Sequence, residues 1–246
     1  MTLKDRLSNS KANTLTLTEH LGELRKRLMV SIAAILIGSI IGFTLYAPLL
    51  NFLLQPFCLA SHHHCSLYVT GPLDGISVRL QIACFAGLIF SSPVLLFEFW
   101  RFVTPGLKSK ERHYAIPFIV ISLLLFALGA AIAYITLEHA LSWLTAIGGP
   151  DLRPIYNPKQ YLSLVMWMMV IFGAAFEFPV ILVALEFLRV VTWRQLLHWW
   201  RWAVIAITLA SAIFTPSSDP FSMLMLMIPL VVFYFVAIGI GWLFRR

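Results

Sequence analysis

Charge is scarce in this sequence. Of its 246 residues only 12% are Asp, Glu, Lys or Arg, about half the roughly 25% usual in a soluble domain. Hydrophobic residues make up 60%, and mean hydropathy is +0.86. A water-soluble globule has too little interior to hide that much apolar surface. The composition therefore excludes an ordinary cytosolic enzyme, a disordered chain and a nucleic-acid-binding module. Cysteine is scarce too, at three residues. Cys84 stands inside an apolar run and reads as a small packing residue. Cys58 and Cys65 lie seven apart, where an oxidising compartment would permit a disulfide, but spacing alone leaves the pairing open. His62, His63 and His64 stand between them. Three adjacent side chains do not easily converge on one ion, so this run reads as polar loop surface, and no metal or other cofactor is expected. No P-loop is present, so the chain is not expected to hydrolyse a nucleotide itself. No internal repeat is visible.

What remains is long apolar runs. Six are legible, at about residues 28–47, 76–99, 114–137, 161–187, 199–214 and 220–243. About 20 apolar residues cross a hydrocarbon core of about 30 Å, so the fold class is all-α and polytopic. The fifth run, with 16 residues between Trp199 and Phe214, spans only about 24 Å at 1.5 Å per residue. It is expected to sit in thinned bilayer or to lean on neighbours. Pro229 predicts a kink in the sixth. The first run starts too late and runs too long for a cleavable signal peptide. Residues 1–15 read as a flexible tail. Residues 16–27 read as an amphipathic surface helix that runs into the first span, because Leu17, Leu21, Leu24 and Leu28 share one helical face and Thr16 with Glu19 fits a capping box.

The net charge of +7 resolves into topology. Lys4, Arg6, Lys11, Arg25, Lys26 and Arg27 precede the first span. Arg101, Lys108, Lys110 and Arg112 follow the second, Arg189, Arg194 and Arg201 flank the link between the fourth and fifth, and Arg245 and Arg246 end the chain. An even number of spans puts all of these on one side. Only Arg79, Arg153 and Lys159 fall on the other. The positive-inside rule then makes both termini and the two basic loops cytoplasmic.

Two acids stand out against this basic face. Glu23 sits beside Arg25-Lys26-Arg27. It suits an i,i+4 pair with Arg27, worth about 0.2–0.5 kcal/mol, and equally an acidic spot that takes a cationic ligand. Glu111 is the only acid in the loop Trp100–His113, among Lys108, Lys110 and Arg112.

Four stretches in this order, HLGELRKRL (His20–Leu28), FVTPGLKSKER (Phe102–Arg112), FEFPV (Phe176–Val180) and TPSSDPFS (Thr215–Ser222), resemble the signature segments of the TatC family. That family is the multispanning receptor subunit of the twin-arginine protein translocase. The likeness covers about residues 16–243. It implies six helices in a concave, glove-like bundle in the inner membrane, with both termini cytoplasmic. It also implies recognition of twin-arginine signal peptides on folded cargo and export driven by the proton-motive force. Further implied partners are single-span TatA- or TatB-type subunits and other copies of the chain itself, without nucleic acid. The family's two arginine-binding carboxylates fall on Glu23 and Glu111, and two further signal-peptide positions fall on Arg25 and Phe102. The chemistry is consistent: a carboxylate accepts the planar guanidinium fork bidentately, and lysine cannot copy that geometry.

Inside the membrane one acid draws attention. Glu177 falls near the middle of the fourth span, where a charge costs about 2.5–3.5 kcal/mol on insertion scales. It is therefore expected to face a groove or a partner, or to hydrogen-bond a neighbouring helix. The family's matching glutamate lines the concave face and is linked to a polar residue of a single-span subunit. Asp219 reads as an N-cap of the sixth span with Pro220 at N1, compatible with a family role in partner docking. Two departures matter. Met223 replaces the glutamine usual in the family where partner helices dock. Glu98 replaces another usual glutamine, and there an extra acid either joins the arginine site or snorkels. Pro56 matches a loop proline of the family and is expected to shape the outer cap.

Two other classes fit less well. A small-solute transporter would show repeats and broken helices around a midplane site. An intramembrane enzyme would need a nucleophile and base, or metal ligands, within the spans. The sequence offers neither, so the chain is not expected to be an enzyme.

Overall fold

The computed structural model describes residues 17–60, 71–103, 115–148, 157–217 and 219–244. No strand occurs among them. The helices are α1 (Leu17–Thr44), α2 (Tyr46–Ala60), α3 (Asp74–Val103), α4 (Ala115–Gly148), α5 (Pro158–Ala175), α6 (Phe178–Phe187), α7 (Trp193–Phe214) and α8 (Pro220–Leu243). Six stretches are long and apolar enough to cross a membrane: Gly22–Thr44, Asp74–Phe102, Ile116–Leu144, Pro158–Phe187, Trp193–Phe214 and Pro220–Leu243.

Three elements differ from a reading by apolar runs. First, α1 begins well before the apolar run at 28, because the amphipathic segment runs into the first span as one helix. Second, α7 has 22 residues, about 33 Å at 1.5 Å per residue, so the helix extends well beyond its apolar run. Its first turns are rich in Trp and Arg and escape an apolar count. Their start is fixed by Thr192, whose hydroxyl accepts from the Gln195 amide at 3.4 Å, while the Thr192 amide donates to Gln195 Oε1 at 2.9 Å. That reciprocal pair is a capping box. Third, the fourth span is two helices. Pro179 has no N–H to give the Ala175 carbonyl, and the chain turns through Phe176 and Glu177 before α6 begins.

Helices α1 and α3 run antiparallel and pack as tightly as backbone allows. A Cβ on Gly38 would meet the Gly87 carbonyl oxygen at 2.9 Å, and one on Gly87 would meet the Ile35 carbonyl oxygen at 2.7 Å. One turn on, Gly42 lies over Ala83 and Ala86. Small residues four apart let two helix axes approach in this way. Towards the far end Arg79 of α3 stacks over Phe43 at 4.3 Å and Tyr46 at 5.3 Å, a cation–π contact that pins the same seam.

The core lies between α4, α5 and α8, around Leu137, Leu162, Phe172, Phe176, Leu226 and Tyr234. Gly129 lets α4 lie against the Phe172 carbonyl, where a Cβ would come within 2.6 Å of the oxygen. Helix α2 caps one end. Pro56 supplies no N–H to Phe52, and the Phe52 carbonyl instead accepts the Tyr134 hydroxyl at 2.8 Å. Tyr161 donates to the neighbouring Leu53 carbonyl at 2.8 Å. Cys58 is disulfide-bonded; Cys65 and the three histidines lie outside the described residues. At the other edge α7 is held to α8 by the Tyr234 hydroxyl, which donates to the Leu196 carbonyl at 2.6 Å. Most of α1 faces outward, with Leu28, Leu36, Ile37 and Ile40 among its exposed large apolar residues. A bilayer would solvate them.

Candidate functional site

The α1–α3 seam decides what meets at the end of the bundle where α1 begins. Because Gly38 lies opposite Gly87, a residue one to three turns earlier on α1 stands opposite one equally later on α3. Arg27 therefore faces Glu98. Arg27 Nη1 donates to Glu98 Oε2 at 3.0 Å, and Arg27 Nη2 pairs with Glu23 one turn back on α1. One guanidinium thus joins two carboxylates. The Arg27 and Glu98 side chains are 12% and 13% exposed, whereas Glu23 is 30% exposed. The same register sets Phe102, half-buried, at the level of Glu23. Arg25 is exposed; two residues from Glu23, it cannot share that face of the helix. Arg101 lies 5.9 Å from the Phe97 ring centroid. Glu111 lies outside the described residues.

Immediately past Glu98, Phe99 opens a groove of about 310 Å³ on the side of α3 that faces α5 and α6. Ser92, Phe126 and Glu177 also line it. Glu177 is 8% exposed, and neither of its carboxylate oxygens has a hydrogen-bond partner among the described residues. Ser122 stands beside it as a polar neighbour. Ser122 Oγ itself accepts the Trp100 indole N–H at 2.6 Å, tying α3 to α4 behind the groove. The helix break at Phe176–Glu177 is what turns this acid towards the groove.

Asp219 is the N-cap of α8. Its carboxylate accepts the Ser222 amide at 2.7 Å, and Pro220 follows it in the first turn. Met223 is half-buried in that first turn. The structure therefore gathers Glu23 and Phe102 at one end, sets Glu177 in a groove leading from that end, and leaves Asp219 and Met223 together at the start of α8.

A profile of the family described as Sec-independent protein translocase protein (TatC) matches residues 19–229. The chain belongs to the TatC family. Among its relatives, the Sec-independent protein translocase protein TatC of Frankia casuarinae is 38% identical, over 94% of this chain and 66% of the relative. The TatC of Aquifex aeolicus is 37% identical, over 94% of this chain and 96% of the relative. This TatC-family chain therefore spans about two thirds of the Frankia protein and nearly all of the Aquifex one. A crystal structure of the twin arginine translocase receptor TatC superposes with a TM-score of 0.78 at 35% identity, covering 93% of this chain and all of that one. A second, of the receptor in DDM, gives 0.78 at 36%. The TatC family and the six apolar helices make this a multi-pass membrane protein of a Tat translocase.

Two features escaped a reading by motif. Arg27 was legible as an i,i+4 partner of Glu23, but its bond to Glu98 was not, because the two lie 71 residues apart. Glu186, at the end of α6, is fully buried, and its carboxylate oxygens have no partner among the described residues. An acid in the run FPVILVALEF was visible, but its depth was not.

Proposed function

We propose that this TatC-family chain is the membrane receptor of a twin-arginine translocase, and that it binds arginine side chains of export signal peptides at the end where α1 begins. The observation that carries this is the Glu23–Arg27 pair: the Glu23 carboxylate already takes a guanidinium, and it is the more exposed of the two acids on Arg27. Glu111 is proposed as the second arginine-binding carboxylate, with Arg25 and Phe102 as further contacts. Two carboxylates, each read bidentately, would make a pair of arginines the requirement and a pair of lysines a poor substitute. That end is proposed to be cytoplasmic, since the basic loops gather there. Glu177, Asp219 and Met223 are proposed to meet single-span Tat subunits, with a packing contact at Met223 where glutamine is usual. Further copies of the chain are proposed to join the assembly. The chain would act by binding, while the proton-motive force drives export.

The test is binding of a twin-arginine signal peptide to the purified protein in nanodiscs, beside the same peptide carrying two lysines. The lysine swap, Glu23→Ala and Glu111→Ala are each expected to weaken binding tenfold or more, about 1.4 kcal/mol. Equal binding of both peptides by the wild-type chain would falsify the reading.

A further inference from the structure

The carboxylate assigned to an incoming arginine is already occupied by one of the chain's own. Arg27 lies between Glu23 and Glu98, and the two acids differ in shelter: Glu23 is 30% exposed and Glu98 is 13% exposed. The exposed acid is the one a ligand reaches. The sheltered acid, on another helix, holds the opposite edge of the same guanidinium at 3.0 Å. From this arrangement we infer that Arg27 is a resident stand-in for the ligand's arginine, and that Glu98 is the positioning residue that retains Arg27 when the ligand takes Glu23. This rests on the receptor reading of Glu23 and adds to it a displacement step.

At Glu23 one guanidinium replaces another, so the hydrogen bonds made there change little. What sets the cost is the fate of Arg27. It is 12% exposed, and its Nε is buried with no partner among the described residues. Stripped of both acids it would be a nearly buried charge without a counter-charge, a costly state. Glu98 prevents that, because its bond to Nη1 does not depend on Glu23. Arg27 need not move far; it gives up one partner and keeps the other. A neutral amide at position 98 would hold Arg27 less firmly. The glutamate is thus what makes release of Glu23 inexpensive in this chain.

The test is a double-mutant cycle on binding of a twin-arginine peptide in nanodiscs. Glu98→Gln is expected to weaken binding five- to tenfold. Arg27→Gln is expected to tighten it, because the Arg27 guanidinium no longer has to be displaced from Glu23. In the Arg27→Gln background, Glu98→Gln is expected to cost less than twofold. If Glu98 acted only through its long-range charge, its loss would cost the same with or without Arg27, and such an additive cycle overturns the inference. An independent readout needs no variant. With 15N-labelled arginine, the Arg27 Nε–H resonance of the wild-type chain is expected to stay protected from exchange when the peptide binds; loss of protection on binding also overturns it. A wild type that binds arginine and lysine peptides alike removes the receptor reading and this step together. A wild type that discriminates, with an additive cycle, removes this step alone.

Discussion

Single residues in this protein act through the space and the charge they find on a neighbouring helix. Glu186 and Gly241 show this most simply. The Glu186 carboxylate occupies the position a side chain on residue 241 would need: a Cβ there would lie 2.6 Å from Glu186 Cδ. Gly241→Ala is therefore expected to destabilise the bundle by about 1–3 kcal/mol, the usual penalty of overpacking. Glu186→Ala in the same chain should relieve most of that, because it removes the colliding group. Thermal unfolding of the wild type and the two variants in detergent reads the effect, and a Gly241→Ala protein as stable as wild type would contradict it. None of this was legible in the sequence. Glu186 could be seen as an acid in an apolar run, but that it packs on a glycine 55 positions later follows only from how α6 and α8 meet. Glu23 differs. Its i,i+4 relation to Arg27 was readable from spacing alone, because both residues sit on one helix. Glu98 was readable as an extra acid that either joins the arginine site or snorkels; that it bonds Arg27 depends on a contact between α1 and α3.

That contact belongs to the scale of elements. The existence of six apolar helices was legible from composition and run length, since the bilayer sets both. Element ends were less so: the start of α7 depends on a polar capping box, and the break between α5 and α6 on one proline whose missing N–H only a local reading detects. The register of α1 on α3 depends on Gly38, Gly42 and Gly87, and the site inherits it. Gly87→Val, three turns from the site and touching none of its residues, is expected to force the two helices apart and move Glu98 from Arg27. Twin-arginine peptide binding should fall at least fivefold, with a loss of stability of about 1–3 kcal/mol. Gly239→Ala is the matched control. A Cβ there meets nothing within 4 Å, and alanine is the better helix former by about 1 kcal/mol. It should leave binding unchanged. Equal binding by the Gly87 and Gly239 variants would mean that the seam does not position the site.

For the whole molecule the deciding quantity is the distribution of charge over two faces. The described helices bury few charged groups and present apolar side chains around the girdle, so the bundle's orientation rests on the basic residues in its loops and ends. Of the 18 Lys and Arg, all but Arg79, Arg153 and Lys159 fall on the side where α1 begins if six spans alternate. Of those three, Arg79 is engaged by the Phe43 and Tyr46 rings, which accounts for a cation on the poorer side in terms of packing. The positive-inside rule counts residues near span ends, and here nearly every short basic segment agrees in sign. The chain should therefore insert with both ends in the cytoplasm. Green fluorescent protein fused after residue 246 is expected to fluoresce, and alkaline phosphatase at the same point to be inactive. Phosphatase fused at residue 150, between the third and fourth spans, is expected to be active. The reverse pattern would place the Glu23–Arg27–Glu98 network on the far side of the membrane, out of reach of a signal peptide presented from the cytoplasm. The receptor reading would fail there on geometry alone, however well the purified protein bound the peptide.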